Sequence, residues 1–246
     1  MSKLLKQISC NSLALGLLLV VSATVMLAAQ GEKKIDCGVA VSNDAVVITK
    51  TTVKDKVVPC MAAPGPPNGR GPYQKAPAFL ADDDWLENVT IYFFNRTNKT
   101  IVAADIIIGF PQTGDGGSPA TAQRSYTIIL GRRPTIANFH FRTGKQMPNE
   151  GTPLSFRKEQ TLAVHLRDHI EAIRENIRDR LFVPVTEIMI NPIQFIFDDG
   201  MSWNGGGQFS VPDEEHPGKW KHLPFTFFPG DVRANWPPEG IGKGRK

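Results

Sequence analysis

Apolar side chains fall at every second position through residues 100–110, where Val102, Ala104, Ile106, Ile108 and Phe110 share one parity. A period of two is the signature of a β-strand and is incompatible with an amphipathic helix. The preceding run, residues 89–94, is equally β-prone, and Asn95 to Lys99 between the two reads as a turn, so residues 89–110 are expected to form a hairpin. The pattern recurs downstream. Tyr126, Ile128 and Leu130 share a face, as do Ala137, Phe139 and Phe141, with a turn expected over residues 131–134. Residues 185–190 and 193–197 also read as strand. Ile188 and Ile190 have the opposite parity to Ile193, Phe195 and Phe197, so a bulge or break at Asn191 and Pro192 is needed to give them one face.

Asp198, Asp199 and Gly200 form a tight-turn signal leading into Met201, Ser202 and Trp203. Nearer the start, residues 38–58 predict two or three short strands. The 22 Gly and 19 Pro, about a sixth of 246 residues, supply the turns that so many short strands require. Seven to nine strands with turns every 8–12 residues predict a mostly all-β chain built as an antiparallel sandwich.

One segment departs from this period. Leu162, Leu166, Ile170, Ile173, Ile177 and Leu181 form a helical stripe, yet Leu162, Val164 and Leu166 also alternate. Asp168 followed by Glu171 resembles a capping box. The prediction is a strand to about Arg167 and one inserted short helix near residues 169–181, ending before Pro184.

The first 29 residues read as a secretory signal peptide. Lys3 and Lys6 precede an apolar run from Leu13 to Val21, and Ala28 and Ala29 stand before polar Gln30. The competing reading is an uncleaved N-terminal anchor through residues 13–29, since that stretch approaches a marginal span; membrane contact is expected only in that case. The domain plan is a leader (1–29), disulfide-pinned N-terminal strands (30–62), a Pro- and Gly-rich loop (63–78), a β-sandwich with the helix insertion (79–211), and a Pro- and aromatic-rich tail (212–246). Beyond the leader only Cys37 and Cys60 remain, and in an exported chain an even pair predicts a disulfide. The expected location is therefore secreted or periplasmic, and the leader together with the modest Cys count suggests a bacterial source.

Charge and motifs narrow the function. Lys and Arg number 28 against 24 Asp and Glu, and two of the lysines lie in the leader. A surplus of two with no basic run argues against a nucleic-acid partner. His165 and His169 have zinc-ligand spacing only if both lie on one helix, which the strand reading of His165 denies. His140 falls on an exposed strand position. Gly200-Met201-Ser202-Trp203-Asn204 approaches a hydrolase elbow but lacks the second glycine and the following helix. Asp82, Asp83 and Asp84, with Asp198 and Asp199, are candidate calcium ligands, since exported β-domains draw such oxygens from loops. The competing reading is solvated turn aspartates, with Asp84 capping the turn before Trp85 and Leu86.

Asn88, Asn95 and Asn98 each begin a glycosylation sequon by pattern, and also suit turns. Trp203, Trp220, Trp236, Phe225, Phe227 and Phe228 crowd the last part of the chain, as a binding platform or as packing. No cofactor motif is present in the sequence.

Residues 89–110, with their Asn-x-Thr turn and Lys99 between apolar strands, resemble the hairpin of bacterial immunoglobulin-like modules of the FxLYD type. The resemblance implies an immunoglobulin-like sandwich in an exported setting and no reaction; the helix is an insertion those compact modules do not need. The expected function is a non-enzymatic exported binding or structural module contacting a protein partner or an envelope polymer. The alternative is a secreted hydrolase acting on a polysaccharide or peptide, with acidic residues near 198–199.

Overall fold

The computed structural model describes residues 31–37, 44–60, 77–111, 124–139, 143–147, 149, 151–178 and 184–224. Residues 1–30, on which the leader reading falls, most of the Pro- and Gly-rich loop, His140, Phe141, and everything after Pro224 lie outside the described residues. Within them the chain is mostly β, with two sheets and one short helix.

The smaller sheet has the order β3-β2-β5-β8, all antiparallel: β3 is Lys56–Val58, β2 Val46–Val53, β5 Val89–Asn95 and β8 Thr161–His165. The larger sheet is built around β9 (Glu187–Phe197). One edge of β9 takes β6 (Ile101–Phe110), which in turn pairs with β7 (Arg124–Gly131). The other edge is shared. Its first part pairs in parallel with β1 (Gly31–Asp36), whose far side takes β4 (Phe79–Ala81). Its last part starts the meander β10 (Ser202–Asn204), β11 (Gln208–Pro212) and β12 (Trp220–His222).

Pro192 sits where the shared edge passes from β1, paired at Glu187 to Met189, to β10, paired at Gln194 to Ile196. A residue without an N–H is tolerated there because no ladder bond is required of it. The register also slips at this point, since Asp105 faces Gln194 while the next residue, Ile106, faces Pro192. The bulge gives β9 the common face that the sequence parity required: Ile188, Ile190, Phe195 and Phe197 all enter the core at 0% exposure.

The two sheets face one another across one continuous apolar core. Phe93 of β5 meets Phe195 of β9 edge-on at 6.1 Å, and Val89, Ile91, Ile106, Ile108 and Phe110 fill the space around them. The expected disulfide is present: Cys37, just after β1, is bonded to Cys60, just after β3, with 5.3 Å between Cα atoms. The bridge therefore joins the two sheets covalently at one margin, and Cys37 N–H donates to Cys60 O at 2.8 Å beside it.

Three expectations are corrected. Residues 89–110 are not a hairpin, because β5 and β6 lie in different sheets and do not pair. The intervening Asn95, Arg96 and Thr97 are buried at 0%, 1% and 0% exposure, so they form an interior corner in place of a surface turn. Asn95 drives this: its Nδ2 donates to Lys99 O and Phe156 O, each at 2.9 Å, while its Oδ1 accepts from Thr97 N–H and Oγ1–H. A side chain that satisfies four groups holds the chain as it crosses between sheets.

Within the expected strand of residues 135–142, the described part, 135–139, is likewise not a strand, and residues 140–142 lie outside the described residues. Thr135–Ala137 is a short 3-10 turn, Ala137 N–H donating to Pro134 O at 2.9 Å, and Phe139 makes only an isolated bridge with Gln146. Buried Arg133 pulls this stretch over the outer face of the larger sheet, where Ala137 packs with Ala103 and Ile196.

The helix, α1 (Ile170–Ile177), is shorter than expected and starts from a 3-10 turn, Leu166–His169. The Asp168 and Glu171 side chains form no cap bond. The apolar stripe holds regardless, with Leu166, Ile170, Ile173 and Ile177 buried, and α1 packs against β7. Finally, β1 was not foreseen as a strand because its sequence is polar. Its place is fixed by backbone pairing on both edges, with Ile35 in the core and the Lys33 stem buried so that its ammonium reaches Asp83.

Candidate functional site

Three segments meet at one end of the larger sheet. The β9–β10 turn brings Asp199 and Met201, the β11–β12 loop brings Asp213, Glu214, Glu215, Pro217 and Gly218, and the strap over the sheet brings Thr135, Ile136 and Phe139. Together with Val211, Pro212 and Lys221 they enclose a hollow of about 790 Å³.

Each wall has a local cause. The β9–β10 turn closes through Gly200 N–H to Phe197 O at 2.9 Å, and Gly200 has φ +83°. That left-handed backbone is what selects glycine here, and a Cβ at Gly200 would lie 2.7 Å from Ile136 Cδ1, so the Ile136 side chain would also have to shift. The β11–β12 loop is knotted by Asp213. Its backbone N–H donates to Lys219 O at 2.9 Å, and its carboxylate accepts from the N–H groups of Glu215 and His216 at 3.0 and 3.3 Å. His216 Nδ1 lies 3.0 Å from the same carboxylate, and this bond, with the backbone donors adding to it, holds the Asp213 carboxyl below the usual carboxylate range.

The strap rests on a buried polar ladder. The Arg133 guanidinium pairs with Asp105 and donates to Gln194 Oε1 at 3.0 Å, with both members of the ion pair at 3% exposure. Gln194 Nε2 donates to Ser202 Oγ at 3.0 Å, and the Ser202 hydroxyl donates to Asn204 Oδ1 at 3.1 Å. Asn204 Nδ2 then donates to Ser210 Oγ at 3.1 Å, and Ser210 Oγ lies 2.8 Å from Nδ1 of exposed His222. The ladder thus crosses β6, β9, β10, β11 and β12 on the outer face. Sequence reading missed it because no local motif connects residues 105, 133, 194, 202, 204, 210 and 222. The alternation of Gln194, Ser202, Asn204 and Ser210 with the core residues Phe195, Trp203 and Phe209 is the signal that places them on one face.

Ser202, the residue closest to a nucleophile motif, is 0% exposed and uses its hydroxyl inside this ladder. Ser210 beside His222 is also 0% exposed, so the pair braces the sheet. His165 ends β8 and lies 3.0 Å from Thr90 Oγ1, while His169 ends the following 3-10 turn, so the two do not share a helix. Burial, the larger effect, pushes the His169 imidazole below its ordinary value against the pull of Asp168, and its ring lies 6.1 Å from Tyr126.

Four of the five calcium candidates are met by lysines. Asp82 accepts from Lys54 at 3.0 Å, Asp84 lies 3.9 Å from the same ammonium, Asp83 pairs with Lys33 at 3.2 Å, and Asp199 pairs with Lys99. Asp198 is exposed, and its backbone N–H donates to Thr100 O at 2.9 Å. Of these only Asp199 borders the hollow.

Of the late aromatics, Trp203 is core at 2% exposure, and Trp220 lies against Phe139 with ring centroids 4.7 Å apart and planes tilted by 41°. Among the sequons, Asn95 is fully buried, Asn88 Nδ2 donates to Asp84 O at 3.1 Å, and Asn98 is exposed. Among the described residues no helix is long and apolar enough to cross a membrane. Comparison with protein-family models, curated proteins and solved structures returns no match.

Proposed function

We propose that this chain is an exported, immunoglobulin-like module without an activity of its own, which holds a protein partner or an envelope polymer at the hollow beside β11 and β12. The observation that carries this reading is Ile136, left 62% exposed on the wall of this hollow, with exposed Glu214 and Glu215 beside it. A bulky apolar side chain held in a concave site by turns on a stiff sheet is the usual composition of a binding surface. The Cys37–Cys60 bridge supports the exported setting, since such bonds persist in oxidising compartments. The leader pattern supports it independently, and strand crossing between two sheets supports the immunoglobulin-like assignment.

A hydrolase acting on a polysaccharide or peptide is the second reading, favoured by Asp199 and Asp213 bordering one hollow. Against it, Asp199 is paired with Lys99, and Asp213 is committed to His216.

The experiment is a melting-temperature screen of the full chain and Ile136→Asp against cell-wall fragments, glycans and calcium. Release of reducing ends or peptides is followed in parallel for the wild type and Asp199→Asn. A ligand at a hundred times its Kd stabilises by ~2.7 kcal/mol, or roughly 5–11 °C for a domain this size. Such a shift, lost in Ile136→Asp, is the expected result. Turnover abolished by Asp199→Asn would replace this reading with the second.

A further inference from the structure

The hollow has a charge as well as a shape. Four carboxylates border it, from Asp199, Asp213, Glu214 and Glu215, against one ammonium, from Lys221. Two of the four are spoken for, Asp199 by Lys99 and Asp213 by His216. Glu214 and Glu215 are exposed and make no ion pair among the described residues. They stand on the loop that Asp213 ties down through three backbone bonds, so a ligand would not have to order them first. Beside this charge the lining is apolar: Ile136, Phe139, Met201, Pro212 and Pro217.

We infer that the occupant is a cationic, partly apolar segment of a partner protein. Its lysine or arginine heads meet Glu214 and Glu215, and its apolar residues cover Ile136 and Pro217. The inference rests on the reading of the chain as a binding module and names the chemistry of its partner. An anionic polymer would face repulsion at Glu214 and Glu215, and a neutral glycan would bury those carboxylates without compensation. Long basic side chains satisfy both surfaces, since their methylene stems cover apolar groups while the charge stays at the rim.

The test uses the full chain and a fluorescein-labelled peptide of alternating lysine and leucine, read by fluorescence anisotropy. Controls are the peptides with glutamate in place of lysine and with serine in place of leucine. Variants are Glu214→Lys/Glu215→Lys, Ile136→Asp and, as a distant exposed acid, Glu171→Lys on α1. All are first checked for unchanged melting temperature.

The expected result is saturable binding of the lysine–leucine peptide that weakens as salt is raised from 50 to 500 mM. Reversal of the two glutamates should weaken it by about tenfold or more. Both control peptides should bind worse, and Glu171→Lys should match the wild type. Absence of binding at 1 mM peptide overturns the inference, as does equal loss in Glu171→Lys, which would mark bulk charge alone. If the peptide fails while a glycan or wall fragment gives a melting shift sensitive to Ile136→Asp, this inference falls and the binding-module reading stands. If both fail, both fall.

Discussion

Replacing Arg133 with Met tests how the strap over the larger sheet is held. The Arg133 guanidinium and the Asp105 carboxylate are each 3% exposed, and the guanidinium also donates to Gln194 Oε1 at 3.0 Å. Methionine keeps most of the side-chain volume but leaves a buried carboxylate with no counter-charge and Gln194 with one bond fewer. Breaking one member of a buried pair costs about 3–5 kcal/mol. For a domain of this size that lowers the melting temperature by roughly 6–20 °C. Asp105→Leu leaves the guanidinium unpaired instead and should cost a similar amount. The double variant removes both charges together, so it should return to within about 2 kcal/mol of wild type. A large favourable coupling energy should follow from the cycle. The assay is urea unfolding followed by tryptophan fluorescence with the disulfide intact, fitted for midpoint and slope. A loss under 1 kcal/mol in Arg133→Met would refute the reasoning, as would a double variant no better than the sum of its parts, since the pair would then not be a dry, mutually dependent unit.

Three further outcomes follow from particular contacts. Cys37→Ser/Cys60→Ser opens a loop whose ends are 23 positions apart, worth about 3.4 kcal/mol in the chain-entropy account; denaturant midpoints with and without the bond measure it, and a loss below 1 kcal/mol would count against a tie between the sheets. Asn95→Ala removes four hydrogen bonds at the corner, three of them buried, and should cost about 2–4 kcal/mol, whereas Asn98→Ala, on an exposed position, should be within about 0.5 kcal/mol of wild type. His169 has its pKa lowered by burial from an ordinary 6.5, so the unfolded chain takes up the proton first: its contribution to stability is complete above pH 6.5 and is lost as pH falls through the folded value. Unfolding curves across pH 5 to 8 should therefore lose part of their slope in His169→Gln, and identical slopes would contradict the assignment.

How much of this was legible beforehand varies with the range of the interaction involved. Local periodicity located β5, β6, β7 and the parity conflict in β9 that the bulge resolves, because side-chain alternation in a strand is set by the backbone alone. The turn at Asp198 to Gly200 was equally readable, since a positive φ selects glycine within four residues. Pairing was not. The stretch from β5 to β6 has the sequence of a hairpin, and only the burial of Asn95 to Thr97 against Phe156 and Ala45 sends the two strands into different sheets. β1 escaped notice for a related reason: residues 31–36 have little apolar content, and what makes them a strand is two neighbours far away in sequence.

The candidate site divides the same way. Asp199 could be named from its turn, but the hollow it borders exists only because the β9–β10 turn, the β11–β12 loop and the Arg133-anchored strap arrive at one end of one sheet. The sequence by itself determined the β character, the cysteine pair and the single helical stripe, all consequences of composition and short-range spacing. The tertiary structure alone decided which strands pair, which polar side chains join into a buried ladder, and which carboxylates are left free at the surface. Those outcomes depend on contacts between residues far apart in sequence, such as Lys99 with Asp199 and Lys34 with Glu187, and no local propensity encodes them.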